Sequence, residues 1–286
     1  MAINKHDLLR RILAGSVYVA ITAVCTLLSW VTTVAMVAVT AGICCHEFLH
    51  MAEIAGYHPE TKIGTATAAL IPVGCCVAAF STHAIVGSLS VAFVGSVIML
   101  LRFFARMEYS IVDMALTVFG VLYTGLLLSS FILIRGQLDG IEGGVLGLFV
   151  LISVWINDGA AYLGGSAFGT HKFVPRISPK KTWEGVFFGL AASVVTWLFI
   201  PLALPEVGFG YAWAALSGLI VGVAAIIGDL TESHIKRSFG VKDAGRLLPG
   251  HGGLLDRSDS MLLASCVAYA MIAFGAYLPT LTGVIV

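Results

Sequence analysis

The stretch "GVLGLFVLISVWINDGAAYLGG", residues 144–165, decides how the chain is read. It matches the ~20 apolar residues that carry a helix across a ~30 Å hydrocarbon layer. Its glycines do not make a nucleotide-binding fingerprint, because neither a Walker A sequence nor a dinucleotide motif occurs in the chain. One acid, Asp158, interrupts the apolar run. A carboxylate at a helix centre in a bilayer costs about 2.5–3.5 kcal/mol, so a partner or polar cavity is expected. Asp158 is therefore a candidate for a nucleotide or cation pocket, with an interhelical hydrogen bond as the structural alternative.

Similar runs occur on both sides of this one. Of 286 residues, 58% are hydrophobic and 11% charged, with mean hydropathy +0.97. A soluble domain carries about 25% charged residues. The expectation is an all-α polytopic membrane protein of about nine helices, at 11–28, 30–45, 65–81, 84–101, 111–134, 143–163, 184–203, 211–228 and 260–280. The third is interrupted by Pro72 and Gly74. The basic start "MAINKHDLLRR" reads as the flank of an uncleaved first span. With that N-terminus in the cytoplasm, every one of the 16 lysines and arginines except Arg135 falls on the same side. Such asymmetry marks the cytoplasmic face. The chain divides into spans one to five, residues 1–140, and a catalytic transmembrane region, 141–286, with cytoplasmic loops at 164–183 and 229–259. Net charge is zero, and no nucleic-acid partner is expected. The six cysteines all lie in or beside apolar runs and make no C-x-x-C pair, so they read as buried and reduced.

One motif competes for attention. "GICCHEFLHMAEIAG", residues 42–56, contains His46-Glu47-x-x-His50, the zinc-protease spacing. The third ligand of an intramembrane protease would have to come from "LDG" at Leu138 to Gly140. On the nine-span map Asp139 lies about 30 Å away across the bilayer, whereas zinc needs all its ligands within about 2.2 Å. The helix end carrying His46, Glu47 and His50 is then expected to face water or headgroups.

Polar residues concentrate instead in "IIGDLTESHIKRSFGVKDAGRLLPGHGGLLDRSDSMLL", residues 226–263. If the eighth helix continues past the membrane, Asp229, Ser233 and Lys236 share a face at i, i+4 and i+7. Asp256 and Asp259 stand at i and i+3 at the start of the ninth helix. Three carboxylates for a hard cation, interleaved with Lys236, Arg237, Lys242, Arg246 and Arg257, suit phosphoryl or nucleotidyl transfer. The small residues of "PGHGG" would let backbone amides approach a phosphate. Upstream, "SPKKTWEG" sets Ser178, Lys180 and Lys181 before the seventh span, as a phosphate grip or as plain interfacial anchors. Arg102, Arg106, Glu108 and Asp113 read as anchors too.

"SHIKRSFGVKDAGRLLPGHGGLLDRSD", Ser233 to Asp259, closely resembles the signature of the phosphatidate cytidylyltransferase (CDP-diacylglycerol synthase) family. The matching positions are Ser233, Lys236-Arg237, Lys242-Asp243, Pro249 to Gly253, and Asp256-Arg257-x-Asp259. "NDGAAYLGGSAFGTHK", "ISPKKTWEG" and "GDLTES" look like family blocks, and Glu47 fits a glutamate that the family tends to have. Ser258 departs from the pattern, standing where an apolar residue is usual. The resemblance implies CMP transfer from CTP to phosphatidate, with Mg²⁺, on the cytoplasmic face of a bacterial inner membrane, by a homodimer. It implies a catalytic set of Asp229, Lys236, Arg237, Lys242, Asp243, Asp256 and Asp259, of which Asp229, Asp256 and Asp259 would hold metal. Substrate contacts would come from Asp158, Ser178, Lys180, Lys181, Ser233, Gly250, His251, Gly252, Gly253 and Arg257. A CTP-dependent polyprenol or phytol kinase is the near alternative, and a membrane transporter the distant one.

Overall fold

The computed structural model describes residues 5–78, 84–105, 110–247 and 252–282. The chain is mostly helical. Seven helices among the described residues are long and apolar enough to cross a membrane: Trp30–Ile54, Val86–Ala105, Ile111–Arg135, Gly140–Phe168, Trp183–Ala203, Tyr211–Ser238 and Leu255–Ala276. The chain is thus an integral membrane protein in character. The expected spans at 11–28 and 65–81 fall on helices outside that set of seven.

The chain forms two compact units. The first takes Met1–Ile132 together with Ile235–Ser258. It begins with α1 (Lys5–Leu28), α2 (Trp30–Ile54), α3 (Thr61–Ala78), α4 (Ala84–Ala105) and α5 (Ile111–Val121). A π-turn at Leu122–Leu126 joins α5 to α6 (Leu127–Arg135), whose first residues also belong here. Ser29 opens α2 with a reciprocal cap: its hydroxyl accepts from Thr32 N, and its own amide donates to Thr32 Oγ1, each at 3.1 Å. Helix α3 packs against both α2 and α4. It runs on through Pro72 and Gly74, where an interruption was expected. In a membrane, neighbouring helices make such a proline tolerable. Here Gly74 lets α4 come so close that a Cβ would sit 2.6 Å from Gly87 O. Asp113, expected as an exposed anchor, is buried and accepts from His58 N at 2.8 Å. Arg102 does act near a surface, pairing with Glu60 at 2.9 Å. Arg106 and Glu108 lie outside the described residues.

The second unit takes Leu133–His234 and Asp259–Val286. Its elements are α7 (Gly140–Phe168), a hairpin of β1 (Lys172–Val174) and β2 (Ser178–Thr182), α8 (Trp183–Leu198), α9 (Ile200–Ala203), and a 3₁₀ turn at Pro205–Val207. Most of α10 (Tyr211–Ser238) and of α11 (Leu255–Thr282) follow. The hairpin corrects the all-α expectation. It is antiparallel, with Lys172 opposite Thr182 and Val174 opposite Ser178. Thr182 ends it and caps α8 by accepting from Gly185 N at 3.2 Å.

Small residues let the apolar helices of this unit approach closely, which is how packing replaces the hydrophobic effect between helices in lipid. A Cβ on Gly185 would stand 2.6 Å from Ala161 O, and one on Gly218 would stand 2.8 Å from Val194 Cα. Buried polar groups tie the same helices together. Asn157 Nδ2 donates to Gly222 O at 3.3 Å, Ser193 Oγ to Gly218 O at 2.7 Å, and Trp197 Nε1 to Ser153 Oγ at 3.2 Å.

Candidate active site

In the first unit the site forms around two carboxylates. Asp256, in the first turn of α11, has both oxygens engaged. Oδ1 takes Lys236 Nζ at 2.6 Å, and Oδ2 accepts from Ala244 N at 2.9 Å and Gly253 N at 2.7 Å. The pair is deeply set, with the Lys236 side chain 12% and the Asp256 side chain 6% exposed. Asp256 therefore gathers the end of α10, the loop at Ala244 and the start of α11 onto one carboxylate. The glycines are matched to it. Gly252 has φ +84°, and a Cβ there would press to 2.6 Å from Asp256 Oδ2. The Gly253 amide, expected to meet a substrate phosphate, serves Asp256 instead.

The second carboxylate is Glu47. It is buried in α2, and its Oε1 and Oε2 accept from Leu254 N at 3.0 Å and Leu255 N at 2.8 Å. Those are amides at the start of α11, whose first turn lacks intrahelical acceptors and carries the positive end of the helix dipole. Gly253 makes room, since a Cβ there would lie 2.5 Å from Glu47 Oε2. This corrects the expected water-facing role of Glu47, whose carboxylate is turned into the start of α11. His46 and His50 are exposed, with ring centroids 6.1 Å apart. Glu47→Ala is expected to leave two buried donors without acceptors, at about 1–3 kcal/mol each. The thermal midpoint in detergent should fall clearly, with Glu47→Gln between; an unchanged midpoint in Glu47→Ala would remove the cap from the argument.

In the second unit, α10 and α11 cross at Gly228, where a Cβ would stand 2.6 Å from Asp259 O. That crossing brings Asp229 beside Asp259. Asp229 Oδ2 is paired with Lys181 Nζ at 2.6 Å, and its Oδ1 accepts from Ser233 Oγ at 3.3 Å. Asp259 Oδ1 accepts from Ser260 N at 2.7 Å. Asp229, Glu232 and Asp158 are acids within electrostatic reach of Asp259. Asp158 is exposed on α7, beside the fully buried Asn157, rather than sunk in a closed pocket. On β2, Lys181 turns to Asp229 while its neighbour Lys180 is exposed, as alternation along a strand requires. Ser178 is half-buried at the hairpin turn.

Of the other expected site residues, Arg237, Lys242, Asp243 and Arg257 are exposed, and Arg237 Nη1 donates to Val241 O at 3.2 Å. Gly250 and His251 lie outside the described residues. Among the described residues, no three His, Cys, Asp or Glu side chains are placed to hold a metal as they stand. The oxygen donors are nonetheless of the hard type that Mg²⁺ takes, and Mg²⁺ commonly uses only one or two carboxylates with water and substrate phosphate. Asp229 and Asp259 meet that need. Asp256 fits it less well, because it already accepts three bonds of the roughly four its lone pairs allow.

Three features escaped the sequence reading: Glu47 as a cap, Gly228 as the crossing point, and the full burial of Glu232, whose place close to the Asp229 face the helical spacing does give. The cost of burying an acid, applied earlier to Asp158, would have flagged Glu47 and Glu232 equally.

Comparison with known proteins agrees with this chemistry. Residues 9–275 match the model of the cytidylyltransferase family. A phosphatidate cytidylyltransferase of Brucella suis is 43% identical over 157 residues, covering 55% of this chain and 56% of the relative. One from Pseudomonas aeruginosa is 43% identical over 123 residues, 43% of this chain and 45% of the relative. An uncharacterized protein of Escherichia coli, YnbB, is 44% identical over 139 residues, 48% and 46% of the two chains. The chain thus spans about half the length of the curated relatives it matches. With a family match over nearly its whole length, the chain belongs to the cytidylyltransferase family.

Proposed function

We propose that this protein transfers CMP from CTP to phosphatidate, giving CDP-diacylglycerol and pyrophosphate. One observation carries the proposal: Lys181 from the hairpin meets Asp229 from α10, next to Gly228, where α10 closes on the backbone of Asp259. Cations interleaved with carboxylates at one place suit a reaction between two polyanions. The acceptor phosphate is a monoester whose second pKa is near ~6, so it is already largely ionised at neutral pH. Its oxygen attacks the α-phosphorus, the bond to the bridging β-phosphate oxygen breaks, and pyrophosphate leaves. No general base is required, and His251 need not supply one.

Asp229 and Asp259 would hold Mg²⁺, and Asp256 would hold the loop that carries the signature lysines. The ion would supply neutralisation of phosphate charge and alignment for in-line attack. Lys236, Arg237 and Lys242 are assigned to the triphosphate, Lys180 and Lys181 to lipid or nucleotide phosphate. The sidedness of the basic residues supports nine spans, a cytoplasmic N-terminus and reaction at the cytoplasmic face. A homodimer in a bacterial inner membrane belongs to the same proposal and rests on the family resemblance. The proposal is tested by following phosphate released from CTP in the presence of pyrophosphatase. Release should need phosphatidate, CTP and Mg²⁺ together. Transfer of the γ-phosphate to an alcohol acceptor, with CDP released, would indicate the kinase instead.

A further inference from the structure

The first unit contains a cavity of about 700 Å³ that the reaction as described leaves unassigned. Pockets of about 300–1,000 Å³ hold small molecules. One wall is a single face of α2, from Ala38 and Val39 through Gly42 and Ile43 to His46 and His50. Those twelve residues of rise make a track of about 18 Å, more than half a hydrocarbon layer. Thr65 and Ala69 of α3 form the second wall, and Ala244 to Leu247 of the signature loop form the third. The loop sits at the histidine end, because Gly245 abuts Glu47.

The two ends differ in chemistry. The Ala38–Ile43 end is apolar and narrow-sided, with Gly42 facing Ala69 so closely that a Cβ would lie 3.1 Å away. Val39 is 62% exposed along it. The other end carries the Arg246 guanidinium and the His46 imidazole, which has an N–H to donate in either tautomer, while His50 turns Nδ1 to Glu53 at 3.1 Å. The acids nearby are already engaged: Glu47 with the amides of Leu254 and Leu255, Glu53 with His50 and Thr61. An apolar track leading to a cationic, donor-rich head complements one kind of molecule, an anionic phospholipid.

We infer that this groove seats the lipid acceptor, with an acyl chain along Ala38, Gly42 and Ala69 and its phosphate against His46 and Arg246, at the end that His50 also lines. The identity of that lipid as phosphatidate rests on the function proposed above. The first histidine of the HExxH motif then binds a headgroup, and the motif needs no zinc.

The test is photolabelling of the full chain in phosphatidylcholine nanodiscs, using phosphatidate with a diazirine in mid-chain. Label should map to residues 38–43 and 65–69. Val39→Trp, which fills the track from an exposed position, should abolish it. Arg246→Gln combined with His46→Gln should reduce it about tenfold, as expected for losing charge-assisted hydrogen bonds. A diacylglycerol probe should label weakly, and millimolar inorganic phosphate should not displace the phosphatidate probe. Label confined to other segments, or equal labelling by diacylglycerol, or displacement by inorganic phosphate, would overturn the inference. Labelling is read without turnover, so the two readings can fail separately. Labelled groove residues with no CDP-diacylglycerol formed would sink the proposed reaction and keep the groove. CDP-diacylglycerol formed by Val39→Trp with an unchanged KM for lipid would do the reverse.

Discussion

Asp259→Asn is expected to lower CTP turnover by about 10²–10³-fold, the usual cost of losing one preorganised electrostatic contact in an active site. The same substitution should leave the thermal midpoint close to that of the wild type. The Asp259 side chain accepts one described bond, from Ser260 N at 2.7 Å. Asparagine keeps the oxygen that accepts this bond and the size of the side chain, so folding should lose little. A residue that folding does not need but turnover does belongs to the site rather than to the scaffold. The check is a cytidylyl-transfer assay and a melting curve on the same purified preparation, with Mg²⁺ varied. Near-wild-type activity with the same Mg²⁺ dependence would remove Asp259 from the metal assignment.

Asp256→Ala should behave in the opposite way, losing stability and activity together. It deletes the acceptor of Lys236 and of the amides of Ala244 and Gly253. Breaking a buried pair by removing one partner costs about 3–5 kcal/mol, because the other charge stays buried. Asp256→Asn keeps an acceptor oxygen and should fall between. The double variant Asp256→Ala with Lys236→Met should regain much of the midpoint, since no unpaired charge remains, yet stay inactive. Non-additivity in that cycle reports the coupling directly. Additive losses would mean that Lys236 and Asp256 do not act as a pair.

The apolar runs made most of the fold legible, because a membrane helix announces itself by length and composition alone. The run at 144–165 became part of α7, and α10 does continue past its apolar part to Ser238, which places Asp229 and Ser233 in contact as their i, i+4 spacing implied. The hairpin at 172–182 was not legible. Its strands of three and five residues include one proline and three lysines and show no apolar alternation. The site was legible as a list but not as an arrangement. Spacing put Asp256 and Asp259 on one helix, yet their duties differ: one is saturated by a lysine and two amides, the other set among carboxylates. Long-range pairings decide such duties. Glu47 reaches Leu254 and Leu255 across about 200 positions of sequence, a separation no local pattern encodes.

The most direct measurement is the fate of the α-phosphate of CTP. Purified protein in detergent would be incubated with phosphatidate, Mg²⁺ and CTP labelled with ³²P at the α-position, and the label followed into lipid and water phases. Label in a lipid, with pyrophosphate released in equal amount, is the predicted result. Label retained in CDP, or CTP left intact with every acceptor and metal tried, would contradict cytidylyl transfer by this protein.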